Sequence, residues 1–458
     1  MSQALPKGFL WGNSTSSMQT EGGYNEGGRG PSVYDPREQT EEHGDWKVAI
    51  DEYHRYEEDY DLMQQMGMNC YRFQIGWSRV CPTGDGEFNQ EGIDFYRGQI
   101  KALIARGITP MICLYHFDMP LALAQKYNGF LSRHVVDAFV RFGKRMIDEF
   151  ADLVPYWIVF NEQNLYTTPY ARVYAGCLEG GEDDQSILTI TNHVMSSHAQ
   201  IANYLHEKSD TAQIGGMLAY EECYAATSNP QDAQFAREID EFFNRNLLDV
   251  YTKGHYSKQV LTFIKNHDID WDFTDEDRAA FAQLKTDFIA FSYYRSDLID
   301  SSKVPVNTNP LHYLDYGMVK NPYTRSNEWG WNIDPLGFRD ILTKVYNQYD
   351  LPMFPIENGI GIRETYTGKE IQDDYRIDYH RAHIQAMKDA ILEDGVEVLG
   401  YLGWGLIDIP ASSGNMDKRY GAVYVNRTNT DLRDLARIPK KSFGWFKQVF
   451  ESNGANLS

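Results

Sequence analysis

Eight short segments of the chain are almost continuously apolar, and they recur at intervals along its length. Strands that are buried on both faces have this pattern, which is typical of a parallel sheet. A half-exposed strand would instead alternate apolar and polar residues. The predicted strands are Phe9–Thr15, Asn69–Ile75, Thr109–His116, Tyr156–Glu162, Gln213–Tyr220, Asp287–Tyr294, Leu351–Asn358 and Glu397–Leu406.

Segments with helical periodicity lie between the predicted strands. In Asp51–Met66, for example, aromatic and apolar residues recur every three or four positions and share one face. Similar patterns occupy Ile93–Arg106, Arg133–Glu149 and Tyr375–Glu393. Eight strands that alternate with helices predict an α/β fold of the (β/α)8 TIM barrel type. A doubly wound open sheet is the structural alternative.

Neither a Pro/Gly/Ser-rich linker nor a block of charge divides the 458 residues, so we expect residues 1–458 to form a single domain. Three segments rich in Gly, Pro, Asn and Tyr fit neither the strand nor the helix pattern. They follow the first, fourth and sixth predicted strands, where a barrel has the top-face loops that build its active site. These long loops are Gln19–Glu42, Leu165–Gln185 and Ser301–Trp331.

The chain is strongly acidic, with a net charge of -22 at pH 7 and a pI of about 4.9. It lacks the Lys/Arg cluster that a nucleic-acid-binding protein needs. No apolar run reaches the length of a membrane span, and Met1–Leu10 lacks the apolar core of a signal peptide. Five cysteines without a CxxC pair indicate free thiols. We therefore expect a cytoplasmic protein without nucleic-acid or membrane partners.

Two glutamates end predicted strands. Glu162 follows the fourth apolar run and Glu357 follows the seventh. A carboxylate at the end of a buried strand is costly unless it has partners or a function, and either one alone could be structural, paired with Arg72 or a lysine. Two such residues at the carboxyl ends of barrel strands can flank one bond. Glycoside hydrolysis requires this arrangement of a proton donor and a nucleophile or base.

Several motifs of the chain, in the right order, resemble glycoside hydrolase family 1, which argues against a chance match. The resemblance covers nearly the whole chain, with one departure, in which Gln163 stands where the family usually has Pro. The matching motifs are Phe9–Gly12, Gln19–Gly22, Tyr71–Phe73, Trp77–Arg79, Leu114–Asp118, Asn161–Glu162 and Ile356–Gly359.

The resemblance implies a retaining β-glycosidase in which Glu162 is the acid/base and Glu357 the nucleophile. It implies that Arg72 and Tyr294 keep the Glu357 carboxylate ionised and oriented. Other residues are implied to bind the sugar, although core packing is the alternative role for the two tryptophans. These are Gln19, His116 and Asn161 at the glycone hydroxyls, Trp404 beneath the ring and Trp331 on the aglycone side.

The segment after the last predicted strand resembles the 6-phospho-β-glucosidase branch of the family. Members that act on plain glucosides have a Glu that binds the 4- and 6-hydroxyls, and this position is Ala411 here. Lys418 and Tyr420 follow, so a cation and a hydroxyl replace an anion, as a 6-phosphate requires. The branch commonly has a phosphate-binding Ser at the Ala411 position. We expect Ser412, Ser413 or a backbone N–H to substitute for it.

The predicted function is therefore retaining hydrolysis of β-glucosides that carry a 6-phosphate, with release of glucose 6-phosphate. Action on unphosphorylated β-glucosides is one alternative, with Lys418 and Tyr420 as ordinary loop residues. A 6-phospho-β-galactosidase is another, although that group usually has Trp at the Ser412 position. A non-catalytic sugar-binding protein would be expected to have lost one of the two glutamates. We expect no metal and no cofactor, and a phosphorylated β-glycoside as the partner; a homodimer stays open.

Overall fold

The computed structural model describes residues 3–458, in which eight parallel strands close into a barrel. Each strand pairs with the next one along the chain, and the last pairs with the first. The predicted (β/α)8 TIM barrel is confirmed. The strands are β1 (Leu10–Ser14), β2 (Cys70–Gln74), β3 (Thr109–Tyr115), β4 (Tyr156–Phe160), β5 (Gln213–Ala219), β6 (Phe288–Tyr293), β7 (Met353–Asn358) and β8 (Gly400–Trp404).

Helices follow each strand. Arg133–Phe150 illustrates why these segments are helical. Its apolar residues form one buried stripe, and Ser132 caps its first turn by accepting a hydrogen bond from the backbone N–H of His134. The longer α-helices are Glu52–Gln65, Gln90–Ala105, Arg133–Phe150, Asp184–Lys208, Pro230–Asp240, Asn246–Lys253, Lys258–Asn266, Asp275–Gln283, Pro335–Tyr349, Asp374–Leu392 and Lys441–Glu451. The four helices predicted from periodicity are confirmed, with ends shifted by three residues or fewer.

Short elements occupy the loops. A π-helical turn, Glu241–Arg245, joins two of the helices after β5. The short α-helices are Ser17–Thr20, Trp77–Val80, Leu121–Tyr127, Ala171–Tyr174 and Tyr313–Gly317, and the 3₁₀ turns are Gly129–Leu131, Gln163–Thr167, Ser301–Lys303 and Pro310–His312. Three two-stranded sheets pair Glu222–Ala225 with Ser296–Ile299, Arg325–Ser326 with Asn332–Ile333, and Val423–Val425 with Arg437–Pro439.

The barrel interior is a packed apolar core. Residues from different strands, such as Met111, Ile158 and Phe288, are fully buried there. The register between β6 and β7 shifts between Pro355 and Glu357, directly before the second of the two strand-end glutamates. Such irregularities re-aim a side chain at the rim of a barrel. Among residues 3–458, no helix combines the length and the apolar character that crossing a bilayer would take.

Candidate active site

The Glu357 carboxylate lies at the end of β7 and is only 3% exposed. Arg72 of β2, which is fully buried, forms an ion pair with its Oε1 atom. The Tyr294 hydroxyl donates a hydrogen bond to Oε2 at 2.9 Å. Burial raises the pKa of Glu357, while the charge of Arg72 and the Tyr294 hydrogen bond act in the opposite direction. Both carboxylate oxygens are therefore held in place.

Glu162 follows β4 in a left-handed backbone conformation, with φ 44°, that non-glycine residues rarely adopt. The Ser292 hydroxyl donates a hydrogen bond to its Oε1 atom. Burial raises the pKa of Glu162 to about 8, and the negative charge of Glu357 is the next cause. The Glu162 carboxyl is consequently protonated at neutral pH, whereas Glu357 faces a guanidinium. When two carboxyl groups have such different environments, their pKa values differ, and one can act as an acid while the other acts as a nucleophile.

Arg72 binds Asn161 and Ser14 as well as Glu357. Its Nη2 atom donates to Asn161 Oδ1 at 2.6 Å, and its Nη1 atom donates to Ser14 Oγ at 3.1 Å. The amide oxygen of Asn161 is thus occupied, while its buried Nδ2 atom has no partner among the described residues. A buried donor without a partner is costly. The geometry of Asn161 therefore fits a group that donates to a ligand hydroxyl.

A cavity of about 430 Å³ lies above these carboxylates and brings most of the predicted residues together. Three predicted residues are not in its wall: Lys418, and the fully buried Arg72 and Asn161. The predicted residues that line the cavity are Gln19, His116, Glu162, Tyr294, Trp331, Glu357, Trp404, Ser412, Ser413 and Tyr420.

Trp404 and His116 form one wall of this cavity, with ring centroids 5.6 Å apart in a stacked arrangement. Burial, followed by the charge of Arg72, lowers the pKa of His116 well below its ordinary value, so the imidazole is neutral. Gln19 also lines the cavity, but its amide is engaged within the protein. It accepts from the Ser16 hydroxyl at 2.5 Å and donates to the Pro410 carbonyl at 2.8 Å.

The loop after β8 carries the residues predicted to bind phosphate. The Lys418 ammonium lies 3.4 Å from the ring centroid of Trp331, and burial, followed by the charge of Arg295, lowers the pKa of Lys418 to about 8. Ser412 and Ser413 are exposed on a tight turn that the Gly414 N–H closes onto the Ala411 carbonyl at 2.7 Å. Both serines line the cavity.

Sequence reasoning did not find several residues of the cavity wall. Glu221 lies two residues after β5, and the strand-end argument that singled out Glu162 and Glu357 applies to it as well. Arg37 had no such signal, because it comes from the long loop after β1. Its guanidinium lies 4.0 Å from the Tyr34 ring centroid and has no carboxylate partner among residues 3–458.

Residues 1–455 match the family model described as glycosyl hydrolase family 1. The chain belongs to this family. It is 38% identical to aryl-phospho-beta-D-glucosidase BglA of Bacillus subtilis (strain 168) and 34% identical to 6-phospho-beta-glucosidase AscB of Escherichia coli (strain K12), over 99% of each chain in both cases. The family 1 b-glucosidase from Thermotoga maritima superposes with a TM-score of 0.87 at 29% identity, over 99% of both chains.

Family membership confirms the class of enzyme predicted from the two strand-end glutamates: the protein is a glycoside hydrolase. It also confirms the resemblance stated from the motifs. A non-catalytic sugar-binding protein is correspondingly disfavoured, since both carboxyl groups line one cavity.

Proposed function

We propose that the protein hydrolyses β-glucosides that carry a 6-phosphate, with retention of configuration and release of glucose 6-phosphate. One observation carries the proposal. At the end of the cavity where plain glucosidases have a carboxylate, the chain has Ala411, and Ser412, Ser413 and Tyr420 line the wall instead. The phosphoglucosidase names of relatives such as BglA and AscB support it.

In the first chemical step Glu162 donates its proton to the glycosidic oxygen while Glu357 attacks the anomeric carbon. The carbon–oxygen bond breaks, the leaving group departs as a neutral alcohol or phenol, and a glycosyl ester forms on Glu357. In the second step Glu162, now a carboxylate, takes a proton from water, which attacks the anomeric carbon and releases Glu357. The enzyme regains its starting charges.

The electrostatics of the pair suit this change of role. While Glu357 is an anion, its charge helps to keep Glu162 protonated. Esterification removes that charge, so the pKa of Glu162 falls and its carboxylate becomes available as a base. Arg72 and Tyr294 stabilise the Glu357 anion before attack and receive it again on release.

For the phosphate, we propose that Lys418, Tyr420 and the Ser412–Ser413 turn supply the binding groups. The turn presents two exposed hydroxyls to the cavity, and Tyr420 lines the same cavity. Arg37 lines the cavity as well and brings a guanidinium group to it. The Lys418 ammonium lies 3.4 Å from the ring centroid of Trp331, which lines the cavity. Lys418 is therefore next to the proposed phosphate site.

A side-by-side assay of four chromogenic substrates tests the proposed function. The substrates are the p-nitrophenyl β-glucoside and β-galactoside, each with and without a 6-phosphate. Charge-assisted contacts from Lys418 and Arg37 should raise kcat/KM for the glucoside 6-phosphate over that for the plain glucoside by roughly 100-fold or more. Preference for the plain glucoside would make the protein an ordinary β-glucosidase, and preference for the galactoside 6-phosphate would reassign the sugar.

Retention can be read from the first product. Because Glu357 is proposed to form a covalent intermediate, two inversions should give the β-anomer of glucose 6-phosphate before mutarotation. The two carboxyl groups should then be about 5–5.5 Å apart rather than roughly 6.5–9.5 Å. Proton NMR of the early reaction checks the outcome, and initial appearance of the α-anomer would mean an inverting enzyme.

The preference for phosphate should itself depend on pH. The second pKa of a phosphate monoester is about 6, so the dianion dominates above that pH. Lys418 has a pKa of about 8, so its positive charge is present below that value and lost above it. The ratio of kcat/KM for the phosphorylated and plain glucosides should therefore be largest between roughly pH 6 and pH 8.

The titration of Glu162 and Glu357 affects kcat/KM for both substrates equally, because both need the same two groups. Its effect therefore cancels in the ratio. A ratio that is flat across this range, measured with a pH-independent chromophore, would separate Lys418 from the phosphate.

We further propose that the chain works as one domain in the cytoplasm. Trp11 of β1 donates a hydrogen bond to Asn453 at 3.0 Å, so the two ends of the chain are tied together. All five cysteines are free within the described residues, as in a reducing compartment.

A further inference from the structure

A second cavity, of about 780 Å³, adjoins the sugar cavity. The two share Leu165, Tyr174, Ala219 and Glu221 in their walls. Four further wall residues, Asn164, Thr168, Pro169 and Tyr170, come from the segment that follows Glu162 in the chain. The second cavity therefore lies on the side of the proposed proton donor, toward which the leaving group departs.

Apolar side chains dominate the wall of this second cavity. Ile239, Phe243 and Leu314 line it, and the π-helical turn Glu241–Arg245 supplies Phe243. At its rim Tyr170 is 64% exposed and Met318 is 41% exposed. Large apolar side chains exposed together around a concave site indicate a ligand that covers them. A single sugar ring is too small and too polar to do so.

One charged cluster lies in this apolar wall. Arg295 donates to both carboxylate oxygens of Glu221, from Nε at 2.9 Å and from Nη2 at 3.3 Å. Asp297 lies 3.9 Å from Arg295 and is 6% exposed. Burial and the charge of Glu221 raise the pKa of Asp297 well above its ordinary value. Two carboxyl groups and one guanidinium therefore share this part of the wall.

Arg295 is the one Arg or Lys in the described wall of the second cavity, so an anionic leaving group finds no unpaired cation there. The guanidinium fork of Arg295 is occupied by Glu221, and Glu221 itself borders the sugar cavity that already holds Glu162 and Glu357. An anionic leaving group would meet the carboxylates of Glu221 and Asp315, which line the second cavity, and like charges repel strongly in a poorly solvated site. A neutral aromatic leaving group meets mostly apolar side chains, with the amides of Asn164 and Asn244 beside them.

We propose that the Glu221–Arg295 ion pair determines leaving-group specificity, admitting bulky neutral aromatic groups to the second cavity and rejecting anionic ones. The inference rests on the proposed function only for the choice of sugar. All substrates that test the leaving-group specificity carry the 6-phosphate. The test of the proposed function instead varies the phosphate and keeps the leaving group constant. The specificity role and the proposed function can therefore fail independently.

The charge preference is tested with two nearly isosteric substrates, the 4-carbamoylphenyl and 4-carboxyphenyl β-glucoside 6-phosphates. Wild type should favour the neutral one by roughly 10-fold or more in kcat/KM. In Glu221→Gln the guanidinium loses its main anionic partner, so this ratio should fall by roughly 10-fold. The double variant E221Q/D297N also removes the second carboxyl beside Arg295 and should show the larger fall. A structural role would lower both substrates equally and leave the ratio unchanged.

The apolar part is tested with the 2-naphthyl and methyl β-glucoside 6-phosphates. Leu314→Ala should raise KM for the naphthyl substrate by roughly 10-fold and leave the methyl substrate unaffected. Leu392→Ala, at an exposed position away from both cavities, is the matched control. A wild-type carbamoyl/carboxy ratio near one, or an unchanged ratio in the double variant, would overturn the specificity role of the ion pair. Equal losses on the naphthyl and methyl substrates would overturn the aromatic site.

Discussion

Replacement of Glu357 by Ala should reduce hydrolysis of every β-glucoside 6-phosphate by roughly 10⁴- to 10⁶-fold, whatever the leaving group. The carboxylate is proposed to form the bond to the anomeric carbon, so no leaving group can compensate for its absence. Arg72 and Tyr294, which bind this carboxylate in the wild type, would remain without their anionic partner. Single-turnover kinetics should show no glycosyl-enzyme in this variant.

Replacement of Glu162 by Ala should have a different signature. Loss of a general acid costs roughly 10²- to 10⁴-fold for leaving groups that need protonation, and far less for dinitrophenolate, which leaves as an anion. A plot of kcat/KM against leaving-group pKa should therefore be steep for this variant and shallow for wild type. Glu87→Ala, at an exposed position without an ion-pair partner in the described chain, is the matched control.

A further measurement links the two glutamates. In Glu357→Gln the pKa of Glu162, about 8 in the wild type, should fall, because the charge of Glu357 is the largest cause of its elevation after burial. Carboxyl NMR of the two labelled side chains would report it. Equal losses for good and poor leaving groups in both variants, together with an unchanged Glu162 pKa, would contradict the assignment of roles.

The fold could be predicted from the sequence because barrel strands are buried on both faces and leave a continuous apolar signal. The bounds of the last barrel strand, β8, were predicted least accurately. The apolar run Glu397–Leu406 extends beyond β8 at both ends, since Val398 makes only an isolated bridge to Met353. On the other side, Gly405 turns into a left-handed conformation, with φ 56°, and ends the strand after Trp404. Hydrophobicity marks burial there, whereas pairing depends on backbone geometry.

The two glutamates could be located because strand ends meet at one face of a barrel, which makes sequence position equivalent to spatial position. Loop residues have no such rule. Arg37 comes from a loop whose path is set by contacts such as the Gly44 N–H to the Gly414 carbonyl, at 2.7 Å, and no periodicity encodes these. For the same reason the sequence could name Lys418 but could not indicate that its ammonium lies on Trp331.

Replacement of Lys418 by Ala should lower kcat/KM for the p-nitrophenyl β-glucoside 6-phosphate by roughly 10- to 100-fold and barely change that for the plain glucoside. A hydrogen bond to a charged group contributes roughly 1.5–3 kcal/mol, which corresponds to this range. Tyr420→Phe should show a smaller loss of the same kind, because it removes a neutral hydroxyl and keeps the ring. Lys447→Ala, on the C-terminal helix, is the control for loss of a positive charge alone.

The contact with Trp331 requires a second variant, because Lys418 also supports that ring and its loss could disturb substrates of both kinds. Lys418→Met keeps an unbranched side chain over the ring and removes only the charge. If Lys418 binds phosphate, the Met and Ala variants should lose the same preference, and Lys418→Arg should retain most of it. If Lys418 serves only to position Trp331, Met should restore activity on both substrates. Equal loss on the phosphorylated and plain glucosides in the Ala variant, with recovery in the Met variant, would exclude Lys418 from the phosphate site.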